Sequence, residues 1–214
     1  MADRNIKVLT FDLDDTLWPV GPVIHHAERE LKTWMQTHVP AAADYDRETM
    51  MGIRADVVAE HPELTYNISR IREMVLERLI ARQGYRGAAH FAAQAFSVFL
   101  EARHRVEYYD DVVPALRELS QRYVLGAVTN GNAAVGRLDI ATYFSFAISA
   151  ETIGAAKPDA KVFQAAIDAA QCSATEVVHV GDHHDHDVAG AQQLGMHTIW
   201  INREGESFPG DQPP

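Results

Sequence analysis

The sequence predicts an α/β protein: a doubly wound, Rossmann-like parallel sheet with an inserted all-helical subdomain. Three observations predict it. Short β-branched apolar runs bounded by turn residues recur along the chain, with segments of helical period between most of them, which is the pattern of βαβ units. That alternation breaks once, after the first run, where a long stretch shows helical periodicity and no convincing strand. The polar residues able to do chemistry cluster after the apolar runs, where an open α/β sheet binds its ligands.

The first expected strand is Ile6 to Phe11. The helical insert runs roughly from Pro19 to Val106 and shows three stripes. They are Ile24, Ala27, Leu31 and Trp34; then Ile68, Ile71, Val75 and Leu79; then Phe91, Ala95, Val98 or Phe99, and Ala102. A helix over Val112 to Tyr123, with Val113, Leu116 and Leu119 inward, leads to a second strand, Tyr123 to Val128. A third strand, Phe144 to Ser149, precedes a helix over Ala160 to Ala170 that buries Phe163, Ala166, Ile167 and Ala170. Val177 to Val180 and His197 to Ile201 complete the sheet, and the polar stretch Arg203 to Pro214 reads as a loop or frayed tail. The expected domains are 1–18 with 107–214 for the core and 19–106 for the helical insert, placed over the carboxyl ends of the strands.

Composition narrows the function. With 214 residues, 47% apolar and 23% charged, the chain has the balance of a globular protein. Acids outnumber bases 30 to 19, and the net charge of −11 repels phosphate backbones, so nucleic acid is excluded as the main partner. The single cysteine, Cys172, fits a reducing compartment. The polar start Met1 to Asn5 leads into no signal-peptide core, and the apolar stretch Ala88 to Leu100 is too short for a bilayer. The expectation is a cytoplasmic protein with no membrane partner, as monomer or homodimer.

Four clusters each follow an expected strand: Asp12-Leu13-Asp14-Asp15-Thr16, Thr129-Asn130-Gly131, Lys157-Pro158, and Gly181-Asp182 through Asp187. In a parallel sheet they converge at one edge. Asp12, Asp14 and Asp182 then crowd together near Asp187, an arrangement in which like charges raise each other's pKa or need a counter-ion, and a divalent cation resolves it. An all-oxygen donor set suits Mg²⁺. Lys157 and Thr129 add a positive charge and a hydroxyl, which makes a site for an anionic phosphoryl group.

These clusters resemble, in order, the four motifs of the haloacid dehalogenase-like hydrolase superfamily. Asp12-Leu13-Asp14-Asp15-Thr16 looks like its first motif, and the insert is similar to its helical cap. Phe11 through Trp18, Pro22-Val23-Ile24 and Thr129 through Asn132 look most like bacterial flavin mononucleotide phosphatases. The resemblance implies a Mg²⁺-dependent phosphatase acting on a small phosphorylated metabolite, such as a flavin mononucleotide-like or sugar phosphate. It gives Asp12 the attack on phosphorus, forming an aspartyl-phosphate, and Asp14 the role of general acid and then base. Thr129, Lys157 and backbone near Asn130 would bind the phosphoryl oxygens. Asp12, the Asp14 carbonyl and Asp182 would hold the metal, and Asp187 would orient Lys157 or a metal-bound water. His183, His184, Asp185 and His186 depart from the family's small polar residues, and Asp185 competes with Asp187 for the second acidic role.

Plainer readings stand beside these. His183 to His186 form an exposed loop without a ligand role, His25 and His26 stay off the substrate, and His179 is a satisfied core histidine. Trp18 either stacks on a flat substrate ring or packs as core. Lys161, the rival of Lys157, falls within a helix; Cys172 is inert; and Asn67-Ile68-Ser69 carries no glycan. Other activities on this fold are a phosphomutase with the same core residues, a 2-haloacid dehalogenase needing neither Mg²⁺ nor Asp14, and a non-catalytic binding protein that has lost a core residue.

Overall fold

The computed structural model describes residues 5–203, 205 and 207. In chain order its elements are β1 (Val8–Phe11), α1 (Val20–His38), α2 (Pro40–Ala43), α3 (Arg47–Glu60), α4 (Ile68–Arg82), α5 (Ala88–Arg103) and α6 (Val112–Leu119). There follow β2 (Val124–Thr129), β3 (Phe146–Ser149), α7 (Ala150–Ile153), α8 (Ala160–Ala170), β4 (Val177–Gly181), α9 (Gly190–Gln192) and β5 (His197–Trp200). Two compact units result, Met1–Val20 with Glu107–Pro214, and Gly21–Val106.

The first unit is an α/β core on a five-stranded parallel sheet of order β3-β2-β1-β4-β5. Central β1 is buried throughout, with Val8 level with Val124 on one side and Val177 on the other. Strand alternation sends Val8 and Val177 to the face where Phe163 and Ile167 of α8 and Ala191 of α9 pack. Leu9, Phe11, Val178 and Val180 face the opposite way, lining a groove with Val112 and Leu116 of α6. Helical cover on both faces is what lets the strands be nearly all apolar. Gly126 of β2 admits the Phe146 ring of β3, which a Cβ there would meet at 2.2 Å. Because every strand runs the same way, Phe11, Thr129, Ser149, Gly181 and Trp200 finish at one edge.

The second unit is helical and has its own core. Its buried residues include Ala27, Leu31 and Met35 from α1, Ile53 and Val57 from α3, Ile71, Val75 and Leu79 from α4, and Ala95 and Phe99 from α5. Asp46 caps α3 by accepting the Thr49 N–H at 2.7 Å, and Asn67 caps α4 by accepting the Arg70 N–H at 2.9 Å. Asn67 thus has a helix-starting role.

Several expectations need correction. α6 stops at Leu119, because the chain turns through Ser120 to Arg122 before joining the sheet, and Val112 is buried in place of Val113. In α1 the expected Ala27 and Leu31 are buried, but the stripe is completed by Val23 and Met35, while Ile24 and Trp34 flank the core. In α5 the inward residue is Phe99, with Val98 half-buried. α3 was not expected as a helix; with only Ile53 and Val57 buried, its apolar stripe is too thin to register. Of the stretch Arg203 to Pro214, only Arg203, Gly205 and Ser207 lie within the described residues. Among the described residues no helix is long and apolar enough to cross a membrane.

Candidate active site

The site is assembled where β1, β2 and β4 end. Just beyond β1, the Asp12 N–H donates to the Val180 carbonyl at 2.8 Å, tying the residue to the sheet edge, where it is buried. The chain then coils back on itself. Leu17 N–H bonds the Leu13 carbonyl at 2.8 Å, Asp15 N–H bonds the Trp18 carbonyl at 2.8 Å, and Asp15 adopts left-handed backbone (φ 59°), which Asp tolerates better than most residues. Asp14 is therefore placed by a turn, and strand alternation does not set its position.

Lys157, in the loop between α7 and α8, is 3% exposed. Its ammonium donates to Asp12 Oδ1 at 2.6 Å, to Asp187 Oδ1 at 2.6 Å and to the Val128 carbonyl at 2.9 Å, which uses all three hydrogens. Asn130 grips its backbone from both sides: Oδ1 accepts the Lys157 N–H at 2.7 Å and Nδ2 donates to the Lys157 carbonyl at 3.0 Å. The Asn130 side chain thus positions Lys157, separately from the phosphoryl contact expected of the backbone near it. Lys161 lies exposed in the first turn of α8. The buried Thr129 accepts the Gly131 N–H at 2.9 Å, so its hydroxyl hydrogen is the part that can donate.

Asp187 lies in a π-helical turn, His184–Ala189, so the histidine-rich stretch expected as a loop is structured. His183 caps that turn, its Nδ1 accepting the N–H groups of Asp185 and His186. Asp187 is buried and accepts from Lys157, from His179 Nε2 at 3.1 Å and from the His183 N–H at 3.0 Å. Asp185 is exposed and bonded to His184, so it is Asp187 that reaches Lys157. A Cβ on Gly181 would fall 2.3 Å from Asp187 Cγ, which explains the glycine before Asp182. His179 meets Thr10 Oγ1 at 2.9 Å through its other nitrogen. Burial lowers its pKa, so the ring is neutral, donating to Asp187 and accepting from Thr10.

Asp182 is half-buried; Oδ1 accepts the Thr16 hydroxyl at 3.0 Å, and its carbonyl accepts the Trp200 indole N–H at 2.6 Å. Trp18 is fully buried against the Tyr108 ring and donates its indole N–H to Asp14 Oδ1 at 2.9 Å. That leaves no exposed ring face for the substrate platform considered for Trp18.

Asp12, Asp182 and Asp187 each offer an oxygen within 4.8 Å of the others. One ammonium cannot neutralise three carboxylates. Asp187, despite its burial, is held well below the usual carboxylate range by Lys157 and His179. Burial disfavours the charge on Lys157, but Asp12 and Asp187 outweigh it and raise its pKa. Asp12 receives a share of Lys157 alone; burial first, and then the charge of Asp187, push it up to about 7. Burial and Asp187 raise Asp182 as well. The cluster is two positive charges short, and its donors are all hard oxygens, so the residues fit a divalent cation such as Mg²⁺.

This electrostatic imbalance has a measurable consequence for the metal-free protein. A carboxyl raised by folding contributes stability that is present below its unfolded pKa and lost as pH rises through its folded value, here about 7 for Asp12. His179 acts with the opposite sign, since its pKa is lowered. The expected result is therefore a difference: in EDTA, Asp12→Asn gains stability relative to wild type as pH rises from about 5 to 8. Urea unfolding of both proteins across that range checks it, and a constant gap would contradict it.

A family model described as haloacid dehalogenase-like hydrolase matches residues 6–195. The chain belongs to the haloacid dehalogenase-like hydrolases. Relatives extend the match across nearly the whole chain. An Escherichia coli K12 protein named 5-amino-6-(5-phospho-D-ribitylamino)uracil phosphatase YigB is 33% identical over 93% of this chain and 84% of its own. A Methanopyrus kandleri glyceraldehyde 3-phosphate phosphatase is 31% identical over 92% and 84%. A crystal structure described as 2-haloacid dehalogenase from Pseudomonas syringae pv. Tomato DC3000 superposes with a TM-score of 0.94 at 42% identity, covering 98% of this chain and 92% of that one.

The family resemblance read from the four motifs is thus sound, while much of the scaffolding around those motifs was missed. His179 is the satisfied core histidine expected, and its bond to Asp187 also makes it a support of the site. Nothing in the sequence pointed to Trp200 on Asp182, or to Asn130 on the Lys157 backbone.

Proposed function

We propose that this hydrolase is a Mg²⁺-dependent phosphomonoesterase acting through an aspartyl-phosphate on Asp12. The observation that carries the reading is the cluster of Asp12, Asp182 and Asp187, of which Asp12 and Asp187 share the Lys157 ammonium. Mg²⁺, held by Asp12, Asp182 and the Asp14 carbonyl, would supply the missing positive charge and neutralise phosphoryl oxygens. Asp187 stays behind these ligands, since both its oxygens already accept from Lys157, His179 and His183.

In the first step an Asp12 oxygen bonds to phosphorus, the ester P–O bond breaks, and Asp14 gives its proton to the departing oxygen. In the second, Asp14 takes a proton from water as that water attacks phosphorus, which frees phosphate and regenerates Asp12. Thr129 donates its hydroxyl hydrogen to a phosphoryl oxygen, and Lys157 holds another by turning towards it the hydrogen it gives Asp12 Oδ1 before the reaction. Aligned donors and charge neutralisation are the main levers in phosphoryl transfer, and buried, triply bonded Lys157 is suited to both. The helical unit Gly21–Val106 is assigned the cap's part, choosing the substrate and excluding water during the first step. The names of the two phosphatase relatives both describe a phosphate on the terminal carbon of a short hydroxylated chain, which supports a small sugar or flavin mononucleotide-like phosphate as substrate.

A second reading, 2-haloacid dehalogenase, is favoured by the name of the structure at 42% identity. That chemistry uses Asp12 on carbon and calls for neither Asp14 nor a dication, so it leaves the acidic cluster unexplained. One panel separates the two. With Mg²⁺ the protein is expected to release phosphate from p-nitrophenyl phosphate and from sugar and flavin phosphates, to lose this activity in EDTA, and to release no halide from 2-haloacids. Halide release without phosphate release, insensitive to EDTA, would reverse the assignment.

A further inference from the structure

The proton step leaves open which oxygen of Asp14 carries the proton, and the fold answers it. The coil after β1 brings Trp18 back beside Asp14, where its indole N–H meets Oδ1 at 2.9 Å. The indole is fixed: it is fully buried, and it meets Tyr108 edge to face with ring centres 5.9 Å apart. Tyr108 is itself anchored through its hydroxyl, which donates to Asp139 Oδ1 at 2.5 Å. The Tyr109 N–H, in turn, bonds the Leu17 carbonyl at 3.1 Å, closing the same loop. An indole nitrogen donates and never accepts. The carbonyl oxygen of a protonated carboxyl is a stronger acceptor than its hydroxyl oxygen, so the indole bond favours Oδ1 as the carbonyl oxygen and leaves the acid's hydrogen to Oδ2.

We propose that Trp18 is the positioning residue of the general acid: it holds Oδ1 of Asp14 as an acceptor, so that proton transfer to the leaving group runs from Oδ2. This inference rests on the phosphatase reading above. Without the indole N–H the carboxyl rotates, and the protonated oxygen is no longer aimed at one place. The cost falls on esters whose leaving oxygen needs a proton. It spares those whose leaving group departs as a stable anion.

The test replaces Trp18 by Phe, which keeps an aromatic ring and removes the N–H. The readout is kcat/KM for a primary alkyl phosphate and for p-nitrophenyl phosphate, because kcat/KM reports steps only through alcohol or phenol release. The ratio of alkyl to aryl kcat/KM is expected to fall by about tenfold or more, a fraction of the whole effect of a general acid. Because Trp18 is buried, a second protein carries benzothienylalanine at position 18, where sulfur replaces N–H in a ring of almost the same shape. It is expected to show the same change in ratio with thermal stability close to wild type. An equal loss on both esters, or no loss in either protein, would overturn the proposal while leaving the phosphatase reading intact. A wild type that hydrolyses neither ester would overturn both.

Discussion

Asp12→Asn is expected to abolish phosphate release, by about three orders of magnitude or more, while the protein stays folded. The nucleophile in the proposed reaction is one carboxylate oxygen, and no other described side chain occupies its place at the end of β1. Asn keeps the shape and an acceptor for the Lys157 ammonium, now 2.6 Å from Asp12 Oδ1, and removes one of three crowded negative charges. Its stability should therefore hold or rise in the absence of metal. Loss of activity together with loss of the circular dichroism signal would instead assign Asp12 a structural part. Full activity with a normal fold would remove it from the chemistry.

Lys157→Met is expected to be costly to both fold and function. The lysine is the counter-charge for two buried carboxylates, each 2.6 Å from its nitrogen. Removing one partner from a buried ion pair leaves charges that water cannot reach, at a cost of about 3–5 kcal/mol near neutral pH. The sign with pH follows from linkage. Unpaired buried carboxyls bind protons more tightly in the folded state, so the deficit should shrink as pH falls and grow as it rises. Urea unfolding of variant and wild type at acid and mildly alkaline pH would show it. Activity should drop by about a hundredfold or more, the usual result of losing one preorganised donor to a reacting oxyanion. A deficit independent of pH would mean that lost packing, and not charge, explains the cost.

How far the sequence showed all this depends on which interactions are local. The strands were legible because Val8–Phe11 and Val177–Gly181 are continuous apolar runs, and their shared direction follows from the intervening helices. That alone brought Asp12, Thr129, Lys157 and Asp182 to one edge. The α1 and α5 stripes were legible to within one position, since a stripe shows which face is apolar but not which of two neighbours is deepest. α3 was not, because only two of its residues, Ile53 and Val57, are buried, too few to mark one face. The supports of the site were least legible. His179 and Asp187 are eight residues apart across a turn, Asn130 and Lys157 twenty-seven, and Thr16 and Asp182 one hundred and sixty-six. No periodicity connects such pairs; only the folded backbone does.

The proposed reaction has Asp12 carry the phosphoryl group in the course of turnover. It is tested most directly by mixing the Mg²⁺-loaded protein with p-nitrophenyl phosphate in heavy-oxygen water, quenching in acid, and weighing the peptide that contains Asp12. An acid-trapped phosphoryl group is expected on that peptide and absent from Asp12→Asn, with heavy oxygen entering the released phosphate and none entering the Asp12 carboxyl. Phosphate release with an unmodified peptide, or heavy oxygen in Asp12 itself, would contradict it.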